Sequence, residues 1–171
     1  KNREQEIKDV SNYYKFNKVF NLNFPTSMLD TVPFNNIVTA ISKAFSEVKP
    51  DTLLIPHYGD LHTDHRIVFD ACMSSIKWFR QKTIKKVMSY ETLSETNFSY
   101  NIENNTFIAN TYYDISSYID SKIEVMNTYK TEINKHPFPR SDESIKSLAK
   151  IRGSESGFEY AEAFMLIREI I

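Results

Sequence analysis

A single cysteine, Cys72, leaves this chain unable to close an internal disulfide, which removes the class of small, disulfide-stapled secreted domains. A reducing compartment follows as the default, and the expected location is the cytoplasm. Cys72 falls within a helical apolar pattern and is expected to act as a small buried hydrophobe. Glycine is nearly as scarce, with Gly59, Gly153 and Gly157 the only copies, so no glycine-rich loop exists to cradle a phosphate. No apolar run is long enough to cross a bilayer, and the opening KNREQEIKDV lacks the apolar centre of a signal peptide. Charge of one sign is also missing. With 21 basic and 22 acidic residues the net charge is −1, which gives no reason to expect nucleic acid as a partner. A small molecule is the expected partner, and a homo-oligomer is compatible with this composition.

What is present is ordinary for a globular protein. A hydrophobic share of 41% with 25% charged residues argues against disorder and against a fibrous chain. A length of 171 residues suffices for one domain with a real core and is short for two, so 1–171 is expected to form a single domain.

Periodicity divides the chain into elements. Ile7, Val10 and Tyr14 recur at helical spacing, and Lys18 to Asn23 (KVFNLN) then reads as a short strand. A loop with Pro25 and Pro33 leads to an amphipathic helix carrying Ile37, Ile41, Ala44, Phe45 and Val48, which Pro50 ends. Thr52 to Pro56 (TLLIP) has the near-continuous apolar character of a strand buried on both faces of a parallel sheet. A helix over 66–80 should pack through Val68, Cys72, Ile76 and Phe79, followed by a strand over 84–90. This alternation predicts a three-layer α/β/α sandwich around a mostly parallel, Rossmann-like sheet. Farther on, Phe98 to Ile102 and Thr106 to Ala109 flank Glu103-Asn104-Asn105 and suggest an antiparallel hairpin. Asp114 and Ser116 offer caps for a helix with Ile115, Ile119, Ile123 and Met126. A loop with Pro137 and Pro139 precedes a helix around Ile145 and Leu148, and Tyr160 to Ile170 closes the chain as a strand or short helix.

Three of the four histidines, His57, His62 and His65, lie in IPHYGDLHTDHRIVFDA. This string begins at the end of the buried strand and runs into the next helix, where open α/β sheets place ligands. Imidazole is a common zinc ligand, and zinc lowers the pKa of a water toward neutrality. Spaced three apart across a helix entry, His62 and His65 can face one site, one for a metal and the other for protons. Asp64 between them could hold a ring nitrogen and fix its tautomer. In the plainer alternative, Thr63 or Asp64 caps the helix and the histidines are solvated surface residues. The location after a buried strand favours a site.

The string Asp60-Leu61-His62-Thr63-Asp64-His65 resembles the D-x-H-x-D-H signature of the PIG-L/LmbE deacetylases. A second stretch, HPFPRSDESIKSLAKIRGSESGFEYAEAF over 136–164, is similar to the family's C-terminal run. Between them MSYETLSET (88–96) and YYDISSYIDSKIEVM (112–126) resemble the bacterial branch. The resemblance implies one Zn2+ ion with His65 as a ligand. It implies His62 as general acid and oxyanion donor, tuned by Asp64, and an N-acetyl sugar or glycoconjugate as substrate. The family's other metal motif, H-P-D-D-E after a first strand, has no counterpart here, and Lys1 to Tyr14 resembles the R-x-x-E helix that follows it. The expectation is a chain without its first two strands, weak in metal binding and poor in catalysis, because one ligand does not make a zinc site.

Other residues carry weaker expectations. Arg3 falls where the family supplies a substrate-binding arginine, although a surface role is as natural. Tyr58 and Asp60 are expected at the mouth of the pocket, with Tyr58 near an oxyanion. His136 and Arg140 lie in an irregular loop that could reach the acceptor sugar. Arg152 and Glu162 read as an ion pair or cap, and His57 as a structural residue at the strand end. The function implied is removal of acetyl from an N-acetylglucosamine-type sugar. The alternatives are a non-catalytic sugar- or nucleotide-binding module and an amidase acting on a thiol-sugar conjugate.

Overall fold

The protein is described by a computed structural model over residues 2–99 and 106–171. Two compact units share the chain, Lys1–Asn21 with Tyr112–Glu162 and Leu22–Thr111 with Ala163–Ile171. The elements are helices α1 (Asn2–Tyr14), α2 (Phe34–Val48), α3 (Thr63–Ser75), α4 (Ile119–Met126) and α5 (Asp142–Ser156), and strands β1 (Thr52–Pro56), β2 (Lys86–Tyr90), β3 (Thr111–Asp114) and β4 (Ala161–Glu169). They make a mixed α/β fold with a four-stranded sheet in the order β1-β2-β4-β3. Among the described residues no helix is long and apolar enough to cross a membrane.

The second unit holds the main core. β1 and β2 run parallel, with Thr52 opposite Lys86 and Pro56 opposite Tyr90. The chain needs the length of α3 to return from the end of one to the start of the other. Ile37 and Ile41 of α2, Leu53 and Ile55 of β1, and Ala71 and Cys72 of α3 pack together with Ile84 and Val87. α2 stops where Lys49 takes a left-handed backbone (φ 53°) and donates its N–H to Phe45 O, directly before Pro50. β4 joins β2 antiparallel, with a bulge at Val87/Met88 and Lys86 paired to Glu169 at 2.7 Å. The sheet is therefore mixed.

In the first unit, α5 is capped at its start by Ser141, whose Oγ accepts from Ser144 N–H. It ends on Gly157 in the left-handed region (φ 81°). Gly153 has a separate role. A Cβ there would stand 2.6 Å from Phe158 O and 2.8 Å from Glu159 O, so the returning chain lies where any larger residue would put its side chain.

Several expectations give way. Residues 18–23 form no strand, and the left-handed backbone at Asn23 (φ 54°) ends the extended run. β1 is not buried on both faces: Leu53 and Ile55 turn into the core, while Leu54 between them is 53% exposed. α3 starts three residues before the expected 66 and ends at Ser75, so Phe79 lies outside it and exposed. The expected hairpin falls partly on 100–105, outside the described residues, and its second arm, 106–109, is not a strand. The strand comes later, as β3. Ile115 precedes α4, since Asp114 Oδ1 accepts from both the N–H and the Oγ–H of Ser116 and forms a turn there. Tyr160 begins no helix, and β4 closes the chain as a strand.

Candidate functional site

The site is built on the six residues between β1 and α3 and on the first turn of α3. Past Pro56 the chain turns, with Asp60 N–H donating to His57 O at 3.2 Å, and Leu61 N–H donates to Glu95 O at 3.1 Å. His57 is wholly buried, its ring edge-on to Phe107, in keeping with a structural residue. The Tyr58 ring packs between His57 and Phe69, with centroids 4.5 and 5.3 Å away.

His62 is the N-cap of α3. Its backbone is extended (φ −68°, ψ 120°), and its Nδ1 accepts from Asp64 N–H at 3.2 Å. An imidazole thus takes the place a serine or aspartate oxygen usually fills. Because Nδ1 accepts, the neutral ring carries its proton on Nε2. One turn on, His65 has the opposite arrangement. Its Nδ1 lies 2.7 Å from Asp60 Oδ2, and a carboxylate there accepts a hydrogen bond from Nδ1–H and leaves the lone pair on Nε2. The two rings stack at 5.0 Å between centroids and 14° between planes. The three-residue spacing therefore places one donor and one acceptor nitrogen side by side.

The carboxylates divide the work differently from the expectation. Asp60 is not at a pocket mouth: it is 1% exposed, and its other oxygen accepts from Thr96 Oγ1–H at 2.6 Å. Thr96 Oγ1 in turn accepts from Thr92 N–H at 2.8 Å. The carboxylate of Asp64 takes the N–H groups of Ser27 (2.6 Å) and Leu29 (3.1 Å), and only its backbone N–H touches His62. Residue spacing singled out neither Thr96 nor Tyr90, although both lie in the 88–96 string noted for its resemblance. Tyr90 ends β2 opposite Pro56. Burial pushes its phenol above the ordinary 10.0, and the negative charge of Asp60 adds to the rise, so Tyr90 keeps its O–H at neutral pH.

Arg3 and Arg140 belong to the first unit, where both engage Glu132. Arg3 also pairs with Glu6 at 3.3 Å and lies over the Tyr129 ring, and Arg140 reaches Glu132 Oε2 at 3.2 Å. As they stand, both guanidiniums are answered by carboxylates. His136 precedes a cis bond to Pro137 in the same unit. Arg152 and Glu162 do not pair with each other: Arg152 holds Glu155 at 2.9 Å, and Glu162 takes Lys122.

Among the described residues, no group of three or more His, Cys, Asp or Glu side chains gathers as for a metal ion. The donor chemistry of His65 fits a zinc ligand, and that of His62, with its accepting nitrogen turned to the helix, fits a proton donor.

Residues 1–76 match the family model described as GlcNAc-PI de-N-acetylase, PIG-L. Among solved structures, a conserved protein from Thermus thermophilus is similar over 99% of this chain and 74% of its own, at 20% identity with a TM-score of 0.76. The N,N'-diacetylchitobiose deacetylase from Pyrococcus horikoshii aligns over 98% of this chain and 63% of its own, at 14% identity with a TM-score of 0.74. A 4-carboxy-2-hydroxymuconate hydratase from Pseudomonas putida aligns over 99% and 72%, at 12% identity with a TM-score of 0.67. This chain thus spans less than two thirds of the chitobiose deacetylase. At these identities the likeness is one of fold, and the fold serves more than one reaction.

Proposed function

We propose that the protein, whose residues 1–76 match the PIG-L family model, is a metal-dependent hydrolase that removes acetyl from an N-acetylglucosamine-type sugar or sugar conjugate, giving a free amine and acetate. The observation that carries this reading is the stacked histidine pair at the start of α3, oriented by different partners. His65 would hold Zn2+ through Nε2, with buried Asp60 keeping that nitrogen free of a proton. When bound, the ion supplies Lewis acidity toward the amide carbonyl and lowers the pKa of water. His62 offers an Nε2–H to the oxygen that becomes negative as the carbonyl is attacked. To deliver a proton to the leaving amine it must first gain one at Nδ1, which displaces Asp64 N–H; donation to the oxyanion needs no such change. Asp64 sets the His62 ring through its backbone N–H and ties residues 27–29 to the start of α3. Tyr58 is a secondary candidate for contact to the sugar conjugate.

The test pairs metal analysis with acetate release from an N-acetylglucosamine conjugate by the intact gene product. His65→Ala should lose zinc and activity together. His62→Ala should keep its zinc while turnover falls by roughly 10²- to 10³-fold, the usual cost of losing one oxyanion donor. Zinc lost from His62→Ala but kept by His65→Ala would reverse the two roles. Turnover unchanged in both would remove the hydrolase reading.

A further inference from the structure

The turn between α3 and β2 presents aromatic and basic groups together to solvent. Ile76 and Ile84 are buried at its two ends. Gln81 between them is buried and donates its amide to Ser46 Oγ of α2 at 3.1 Å. The N–H groups of Arg80 and Gln81 both donate to Lys77 O, at 2.8 and 3.1 Å. The backbone is thereby tied down, and the side chains left outside are Trp78, 68% exposed, and Phe79, 55% exposed, meeting edge to face at 5.8 Å. Along the turn itself the charge is of one sign. Lys77, Arg80, Lys82, Lys85 and Lys86 fall within ten residues that contain no carboxylate, in a chain whose net charge is −1. Lys86 is taken by Glu169, and Arg80 lies over the Phe79 ring at 5.8 Å. Asp51 meets Lys85 and Lys86 through its backbone carbonyl. Among the described residues Lys77, Lys82 and Lys85 are exposed and held in no ion pair.

We propose that this turn docks the protein peripherally on an anionic lipid bilayer, with Trp78 and Phe79 entering the headgroup region and Lys77, Arg80, Lys82 and Lys85 against the lipid phosphates. Two features select the bilayer over a protein partner. An aromatic tip ringed by cations has the composition of an interfacial anchor, each part matching one layer of the membrane surface. A stable protein interface needs roughly 800 Å² from each side, far more than two side chains on one turn provide, whereas a bilayer asks for a few apolar anchors and charge. The turn leads into the N-terminal end of β2, while His62 and His65 follow the C-terminal end of the parallel strand β1. Five-residue strands at roughly 3.3 Å per residue put about 16 Å between those ends. Docking therefore leaves the histidine pair on the side away from the bilayer, and its test is independent of the hydrolase reading.

Trp78 is the chain's one tryptophan, so its fluorescence reports the turn alone. The full chain is titrated with vesicles of phosphatidylcholine containing phosphatidylglycerol, and with vesicles of phosphatidylcholine alone. The emission should shift to the blue on the anionic vesicles, stay put on the neutral ones, and return toward about 1 M salt, where screening is nearly complete. Phe79→Ser should weaken partitioning and keep the salt dependence. Replacing Lys77, Arg80, Lys82 and Lys85 together with glutamine should lower it by several hundredfold, at about fivefold per cation. Circular dichroism confirms that these surface variants stay folded. The proposal is overturned by no shift on anionic vesicles, by equal partitioning to neutral ones, or by undiminished binding of the glutamine variant. A shift that follows protein concentration without lipid would assign the turn to a second copy and overturn it equally.

Discussion

A histidine ring has two nitrogens, and whatever holds one of them decides what the other can do. His62 and His65 illustrate both settings three residues apart, and the difference between them rests on Asp60 and Thr96. Asp60→Asn replaces an acceptor-only carboxylate with an amide that can donate, so the His65 tautomer loses its fixed partner. Zinc affinity should fall by roughly 10- to 100-fold, as for other residues that orient a metal-ligating histidine. Thr96→Val should lower it in the same direction by less, and Thr96→Ser should restore it, because the hydroxyl alone reaches Asp60. Competition with a chromophoric chelator measures all three, and unchanged affinity in Asp60→Asn would detach Asp60 from the metal. The D-x-H-x-D-H spacing made the two histidines legible. It did not reveal which carboxylate serves which ring, because that choice depends on Thr96, 36 residues from Asp60, and on Ser27 and Leu29 drawing the Asp64 carboxylate away.

At the scale of elements, apolar periodicity located α2, α3, β1 and β2, whose buried faces meet in one core. It failed where an element depends on something other than its own pattern. KVFNLN has strand-like residues and is not a strand, and Phe79 continues the α3 period past the point where Lys77 O turns the chain. Gly153 shows the reverse case, a requirement invisible to periodicity. It sits mid-helix, where glycine ordinarily costs stability relative to alanine, and what keeps it there is the close approach of Phe158 O and Glu159 O. Gly153→Ala should therefore destabilise the protein by about 1–3 kcal/mol, the usual cost of forcing a methyl into filled space, despite alanine's better helix propensity. Urea denaturation followed by circular dichroism checks the sign: a stabilised variant would mean that the returning backbone gives way easily.

For the whole molecule, Cys72 offers a pH-dependent measure of core integrity. It is buried among α2, α3, β1 and β2, and burial pushes its thiol from the ordinary 9.0 up to about 12. The folded state holds this proton more tightly than the unfolded chain. Below about pH 9 both states keep it and the linkage contributes nothing. Between about 9 and 12 the unfolded thiol ionises while the folded one does not, so stability falls as pH rises, by on the order of 1 kcal/mol per pH unit. Lysines and tyrosines titrate in the same range, and a Cys72→Ala reference removes most of their effect. The stability advantage of the natural protein over Cys72→Ala should shrink by roughly 2 kcal/mol between pH 8 and pH 10.5. An aromatic disulfide reagent at neutral pH should label Cys72 only as the protein unfolds, at a rate that follows urea concentration. Rapid labelling of the folded protein, or an advantage over Cys72→Ala that does not change with pH, would mean that water reaches this core far more readily than its packing implies.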